Sequence, residues 1–275
     1  MTETQRGIAA MIGACTIWGL SPLFYKLLAH VPPLEVLSYR TLWSLALFGA
    51  ILAMQGQLVE LKSFLGRRWM VVALAAVLIS TNWGFYIWSI QVGRAMEASL
   101  GYYIFPLVAV VLGAVVFGER LAVLQWLAVA IASVGVLLLA FGLGLVPFVA
   151  LILAVTFGLY GMLKKQLRSG AMMSVTGEVL LLSPLAFGWL IWLGIGGGGG
   201  AQAEGWQTQL LLALSGPMTA GPLIMFSYAT HRVNLTTVGL LQYINPTLQF
   251  LCAALVFGEA FTRWHGITFG LIWLA

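Results

Sequence analysis

One pattern occurs twice in this chain, 140 residues apart. The first copy reads Tyr103-Ile104-Phe105-Pro106, then ten residues, then Phe117-Gly118-Glu119. The second reads Tyr243-Ile244-Asn245-Pro246, then ten residues, then Phe257-Gly258-Glu259. The register holds between the motifs, with Leu100 matching Leu240, Ala114 matching Ala254 and Val116 matching Val256. Fainter matches pair Trp18-Gly19-Leu20 with Phe157-Gly158-Leu159, and Glu35-Val36-Leu37 with Glu178-Val179-Leu180. A duplication of this kind implies two structurally similar halves.

The solvent of those halves follows from composition. The chain is 61% hydrophobic and 8% charged, with a mean hydropathy of +1.00, against about 25% charged residues in ordinary soluble domains. A 275-residue soluble fold cannot hide that much apolar surface. The expected class is therefore an all-α polytopic membrane protein. A span needs about 20 apolar residues, and the apolar runs predict ten: 7–29, 34–54, 69–90, 98–117, 122–141, 146–163, 172–193, 207–230, 237–257 and 264–275. Two repeats of five follow, residues 1–143 and 144–275. Because five is odd, the second repeat must be inverted in the membrane, an arrangement common among secondary transporters. The tenth run is expected to be incomplete, since a dozen residues rise only about 18 Å against a hydrocarbon core of about 30 Å.

Basic residues orient the spans. With the N-terminus inside, the cytoplasmic segments hold Arg6, Lys62, Arg67, Arg68, Arg120, Lys164, Lys165, Arg168 and Arg232, and the outer loops hold only Arg94 and Arg263. That bias predicts a cytoplasmic N-terminus. It also puts Glu119 inside and Glu259 outside, as inversion requires. No basic cluster has the density of a nucleic-acid-binding patch. Cys15 and Cys252 stand alone in apolar runs and read as small core residues without metal-ligand spacing. The glycine run Gly196 to Gly200 lacks the Lys-Ser/Thr ending of a phosphate loop and reads as a linker. No cofactor is implied.

Ten spans, a five-plus-five inverted repeat and paired Phe-Gly-Glu motifs resemble the drug/metabolite transporter superfamily, in its EamA-domain branch. Longer strings resemble the RarD (chloramphenicol-sensitivity protein) group. They are Trp18-Gly-Leu-Ser-Pro-Leu-Phe-Tyr-Lys26, Val31-Pro32-Pro-Leu-Glu35 with Arg40 and Trp43-Ser44, Glu97-Ala-Ser-Leu-Gly-Tyr102 and Gln242-Tyr243-Ile244-Asn245-Pro246-Thr247. The resemblance covers essentially the whole chain. It implies a multi-pass permease of the bacterial inner membrane with no particular substrate. Small multidrug antiporters of the same superfamily carry a Glu within the first span; no acid stands there in this chain, so proton coupling by that route is not implied.

Charged side chains within spans cost about 2.5–3.5 kcal/mol each at the centre on the insertion scale, so each asks for a reason. Arg40 sits about two turns into the second span, with Lys26 and His30 near the outer end of the first. One reading makes them an outer vestibule or gate, with Glu35, for a substrate carboxylate or phosphate. The other makes Arg40 an interhelical structural residue and lets Lys26 snorkel to the interface. Glu35 and Arg40, five apart, point in different directions and are not expected to pair. Glu178 is expected to pair with Lys164 or Lys165, and Glu97 to cap the fourth span. Glu119 and Glu259 are each expected to fix their own hairpin through backbone N–H bonds.

A second set of candidates is aromatic and amide: Trp18, Tyr25, Asn82, Tyr86, Tyr102, Tyr103, Tyr228, Gln242, Tyr243 and Asn245. Asn82 and Tyr86 share one helix face, and Gln242 and Asn245 another. Many aromatics around few polar groups suit an amphipathic organic solute better than a bare ion. Pro106 and Pro246 each remove a backbone donor and free the carbonyl four residues earlier, so symmetric kinks are expected to shape the site or to hinge it. The expected function is a secondary-type transporter moving small organic metabolites or amphipathic drugs by alternating access. Alternatives are a channel-like facilitator and, less favoured, a membrane-embedded enzyme, which would need a convergent acid, base and nucleophile. His30, His231 and His265 lie near span ends and form no such set. The two halves supply the pseudo-symmetry that shorter relatives obtain by dimerising, which is compatible with a monomer.

Overall fold

A computed structural model describes the whole chain except residues 1, 119–121, 145, 168–169, 197–200, 202–204, 234 and 275. The described residues form helices and no strand. In order they are α1 (Glu3–Leu27), α2 (Pro33–Met54), α3 (Leu58–Gln91), α4 (Ala95–Phe117), α5 (Val123–Leu143), α6 (Phe148–Leu167), α7 (Ala171–Ile195), α8 (Trp206–Thr230), α9 (Leu235–Gln242), α10 (Ile244–Leu251), a π-helical segment (Cys252–Val256) and α11 (Arg263–Leu274). Among the described residues seven helices are long and apolar enough to cross a membrane: α1 to α5, α7 and α8. Phe148–Lys164 and Leu240–Val256 are shorter apolar stretches.

The side chains are distributed as a lipid solvent demands. Val123, Leu124, Phe141, Ile195 and Leu255 point outward and are more than three-quarters exposed, while Glu35, Arg40, Asn82, Ser99, Glu178 and Thr219 are buried. Helical backbone bonding meets the condition for crossing hydrocarbon, except opposite the prolines inside helices (Pro22, Pro106, Pro184, Pro217 and Pro222), each of which removes one helical donor. Buried hydroxyls follow the same rule: Thr41, Ser89, Thr176, Ser215 and Thr219 each donate to a carbonyl three or four residues earlier. Helix α3 starts eleven residues before the predicted span. Its first turns, carrying Glu60, Lys62, Arg67 and Arg68, continue the helix past the apolar run because nothing between Gln57 and Trp69 breaks it.

Gly118 and Gly258 both adopt φ of +65°. That left-handed turn, cheap only for glycine, closes a helix end. It explains the shared Phe-Gly dipeptide of the repeat. The prolines behave differently in the two copies. Helix α4 stays continuous through Pro106, whereas the predicted ninth span divides at Tyr243 into α9 and α10 and ends in the π turn. Gln242 and Asn245 therefore lie on either side of a break and do not share one continuous helix face.

Packing runs α1 against α8, α9 and α10; α6 against α3 and α4; α2 against α7 and α8; α3 against α7; α4 against α10; and α5 against α11. Polar side chains stitch one end of this bundle. Gln91 Nε2 donates to the carbonyls of Leu28 and Val31 at 2.9 and 3.0 Å. Glu35 Oε1 accepts from Ala201 N at 2.6 Å, and Glu97 Oε1 from Val149 N at 2.9 Å. Both oxygens of Glu259 accept 2.7 Å bonds, from Ala95 N and Met96 N. These bonds gather the α1–α2, α3–α4, α5–α6 and α7–α8 connections with the turn before α11. At the opposite end Arg232 Nε donates to Glu3 at 2.8 Å, bringing the α8–α9 connection to the N-terminus.

Two carboxylates thus depart from expectation. Glu259 fixes not its own hairpin but the start of α4, where two unpaired N–H groups and the helix dipole attract an anion. Glu97 reaches across to the first turn of α6 for the same reason, with Arg94 at 3.6 Å. Glu119 lies outside the described residues.

Candidate functional site

The helices converge on a buried polar cluster centred on Arg40, which is 6% exposed. Its Nε donates to Thr219 Oγ1 on α8 at 2.7 Å. The guanidinium carbon stands 4.0 Å from the centre of the Trp83 ring and 5.8 Å from that of Tyr25. Helix α2 carries Arg40, α1 carries Tyr25, and α3 carries Trp83 and Tyr86. Tyr86 packs edge-on to Tyr25 at 6.0 Å and to Tyr102 at 5.7 Å.

Hydroxyls and one amide tie these rings down. Tyr86 shares a 2.8 Å hydrogen bond with Ser21, whose hydroxyl also donates to the Trp18 carbonyl at 2.6 Å. Tyr102 donates to Asn82 Oδ1 at 2.9 Å. Asn82 Nδ2 donates to the Leu153 carbonyl and to Thr156 Oγ1 at 2.9 and 3.0 Å, so this fully buried amide joins α3, α4 and α6. From Tyr102 the aromatic line continues through Phe157 to Tyr160. Tyr160 donates to Glu178 Oε2 at 3.0 Å. Glu178 is fully buried and pairs with Lys164 at 2.7 Å, as expected. Lys164 also donates to Ser174.

Five of the predicted residues therefore meet, Tyr25, Arg40, Asn82, Tyr86 and Tyr102, while Trp18 lends only its carbonyl to Ser21 and packs its ring on Phe226 at 6.0 Å. Tyr103 and Tyr243 form a second group on another face of α4. Their rings stack at 6.1 Å, and Tyr103 shares a 2.6 Å hydrogen bond with Thr247. Ser99 donates to the Pro246 carbonyl at 2.8 Å, pinning α10 against α4. Asn245 accepts from Gln249 at 2.9 Å, and Gln242 ends α9 half-buried.

Four residues stand away from both groups. Tyr228 is 37% exposed and stacked under Arg232 at 3.7 Å. Lys26 is exposed, 5.5 Å over the Phe257 ring, and His30 bonds Thr208. Glu35 is buried and engaged with Ala201, its second oxygen without a hydrogen bond. The expected vestibule of Arg40 with Lys26, His30 and Glu35 is not assembled here. Ser21, Thr156, Thr219 and Thr247 escaped sequence reading because a hydroxyl in a span ordinarily bonds its own helix and leaves no pattern.

Two apolar grooves flank the cluster along α2, α3 and α7. The larger has a volume of about 620 Å³ and is lined by Leu34, Leu37, Ser80, Gly84, Phe85 and Trp189. Helix α2 is thus polar toward Arg40 and apolar toward the lipid side.

Comparison with known proteins agrees with this architecture. The EamA-like transporter family matches residues 5–141. Protein RarD of Streptomyces exfoliatus is 44% identical over 99% of this chain and 87% of its own. An uncharacterized transporter of Vibrio cholerae is 42% identical over 99% and 91%. The chloramphenicol-sensitive protein RarD of Pseudomonas aeruginosa is 31% identical over 100% and 93%. A crystal structure at 19% identity covers 97% of this chain and 94% of its own with a TM-score of 0.61, which shows a shared fold. With full-length identity at these levels, the chain belongs to the RarD group of EamA-domain permeases.

Proposed function

We propose that this permease is a secondary-type transporter of the bacterial inner membrane, moving small organic metabolites or amphipathic drugs by alternating access. It would do so in ten spans, α6, the α9–α10 run and α11 joining the seven long helices, with the N-terminus in the cytoplasm. The observation that carries the reading is the buried Arg40–Tyr25–Trp83–Tyr86–Tyr102–Asn82 cluster where α1, α2, α3, α4 and α8 converge. Polar groups are costly at that depth, and they are held there by side-chain bonds between helices that must move apart to admit a solute.

Inverted repeats spanning 1–143 and 144–275 are supported by an exchange of partners. Swapping the first five elements with the last turns α1 on α8 into α6 on α3, and α1 on α10 into α6 on α4. The close contacts exchange as well. Gly19 lies against Leu248, and Gly158 lies against Val108, each pair offset by the repeat spacing. The excess of cytoplasmic basic residues supports the orientation. The α9–α10 run, broken at Tyr243 three residues before Pro246, would serve as a hinge, and the stitched end as one closed gate. The relatives are named as transporters, in keeping with a role that is not enzymatic.

The test is flux in proteoliposomes, screening small organic solutes with and without an imposed pH gradient. Saturable, solute-specific uptake is expected, slowed at least tenfold in Asn82→Leu. No uptake of any solute by folded protein refutes the reading; conductance far above transporter turnover would make it a channel.

A further inference from the structure

We infer that Arg40 is the anion-recognition residue of this site and that the transported solute is an organic monocarboxylate. This rests on the transport reading above. The ion pairs among the described residues are Glu3–Arg6, Arg94–Glu97, Lys164–Glu178 and Glu3–Arg232. Arg40 is in none of them. Glu35, the acid nearest to it along α2, bonds Ala201 instead. A buried guanidinium without a counter-anion is a costly arrangement in a bilayer, and intramembrane charges of this kind mark substrate pathways.

The cluster's hydrogen-bonding capacity can be accounted for group by group. Ser21, Tyr86, Tyr102, Asn82 and Thr156 satisfy one another or a backbone carbonyl. Arg40 spends Nε on Thr219. Its two terminal NH2 groups, and the hydroxyl of Tyr25, whose ring centre lies 5.8 Å from the guanidinium carbon, bond no described residue. An Arg NH2 fork with an adjacent phenol matches the two in-plane oxygens of a carboxylate. Trp83 stacked at 4.0 Å fixes the plane of that fork. The walls are aromatic, so the body of the solute is apolar or aromatic.

Charge selects among anions. One cation meets one carboxylate to give a neutral pair, the form that is cheapest to carry across a low-dielectric site. A phosphomonoester carries about −1.5 to −2 at neutral pH and would leave uncompensated charge.

The experiment uses the full chain purified in detergent. Probes are benzoate, phenylacetate, 3-phenylpropionate and indole-3-acetate, each beside its primary amide, and phenyl phosphate. Thermal unfolding reports binding, and proteoliposome flux runs in parallel. At least one acid is expected to raise Tm where its amide and phenyl phosphate do not. In Arg40→Gln that acid should bind at least tenfold more weakly, with partial retention in Arg40→Lys. Without ligand, Arg40→Met should melt at or above the parent, because it removes an unpaired buried charge; melting well below the parent would make Arg40 a structural residue and overturn the inference. So would amides binding as well as acids, no acid binding, or acids stabilising Arg40→Gln as they do the parent. The acid-against-amide comparison needs no variant to fold. Arg40-dependent binding without flux refutes transport and leaves the recognition intact, whereas flux of neutral solutes unchanged in Arg40→Gln does the reverse.

Discussion

Replacing Glu259 by Gln should open the stitched end of the bundle without unfolding it. Both carboxylate oxygens accept 2.7 Å bonds from the first N–H groups of α4. A hydrogen bond to a charged group is worth about 1.5–3 kcal/mol, and an anion at a helix N-terminus adds about 0.3–1 kcal/mol. Gln keeps one acceptor and loses the charge, so the closed end loses about 2 kcal/mol, the lower part of that range because Glu259 is only half-buried. At about 1.4 kcal/mol per tenfold, its open population rises roughly thirtyfold. The native thiols report it. Cys252 lies in the π turn seven residues before Glu259, 3% exposed, with its sulfur 3.9 Å from the Gly19 carbonyl. In a Cys15→Ser background, a membrane-impermeant maleimide should label Cys252 ten to thirty times faster in Glu259→Gln. The converse background keeps Cys15, which is fully buried in α1, and its labelling should not change. A Cys252 rate within twofold of the parent refutes the latch. An equal rise at both thiols also refutes it, since that is general loosening.

Other outcomes follow from the same contacts. Asn82→Leu removes three interhelical bonds, which average about 0.6 kcal/mol each in membrane proteins, so unfolding in mixed micelles should show a loss of about 2 kcal/mol. Glu178→Gln leaves Lys164 without its counter-charge and should cost about 3 kcal/mol, while the double change Lys164→Met with Glu178→Leu should restore most of it; a double-mutant cycle of unfolding free energies checks this. At Gly19 a methyl group would meet Leu248 Cβ at 2.6 Å and the Asn245 carbonyl at 3.0 Å; at Gly158 it would meet only side-chain atoms, the nearest being Val108 Cγ1 at 2.9 Å. Gly19→Ala should therefore lose about 1–3 kcal/mol by overpacking and Gly158→Ala distinctly less, read from the two melting temperatures.

Helix positions were legible because hydrocarbon leaves the backbone one economical solution, and a 20-residue apolar run announces it. Two departures came from features that hydropathy does not register. The amphipathic turns that open α3 carry four charges and read as a loop, yet they continue the helix in water. The proline motif shares Tyr-Ile-x-Pro in both copies, with Phe105 in one and Asn245 in the other, yet α4 runs through Pro106 while the chain divides before Pro246. The lost donor is the same in each copy; the neighbours differ. Pro246 lies on the α4–α10 crossing, where its carbonyl accepts from Ser99. Seating α10 against α4 there favours a break that sequence symmetry cannot announce.

The site was half legible for a related reason. Residue type singles out Arg40 in one set and Asn82, Tyr86 and Tyr102 in another, and the fold brings members of both together, because polar and aromatic side chains deep in spans have few places to go. Adjacent letters then misled. Tyr102 and Tyr103 are neighbours in sequence, yet one faces Asn82 on α3 and the other Thr247 on α10, as successive residues on a helix must. The acids misled in the other direction. Glu97 and Glu259 read as caps of their own helix ends, yet they reach 52 and 164 residues along the chain to other helices. A carboxylate is recruited by whichever unpaired N–H groups the fold brings to it. Where helices pack side by side, the N-terminus of a partner is at hand as readily as the acid's own, whether the partner runs parallel, as α6 does to α4, or antiparallel, as α4 does to the run that ends before Glu259. The acids that look like local caps are therefore the bolts between helices, and the Glu259 variant loosens one of them.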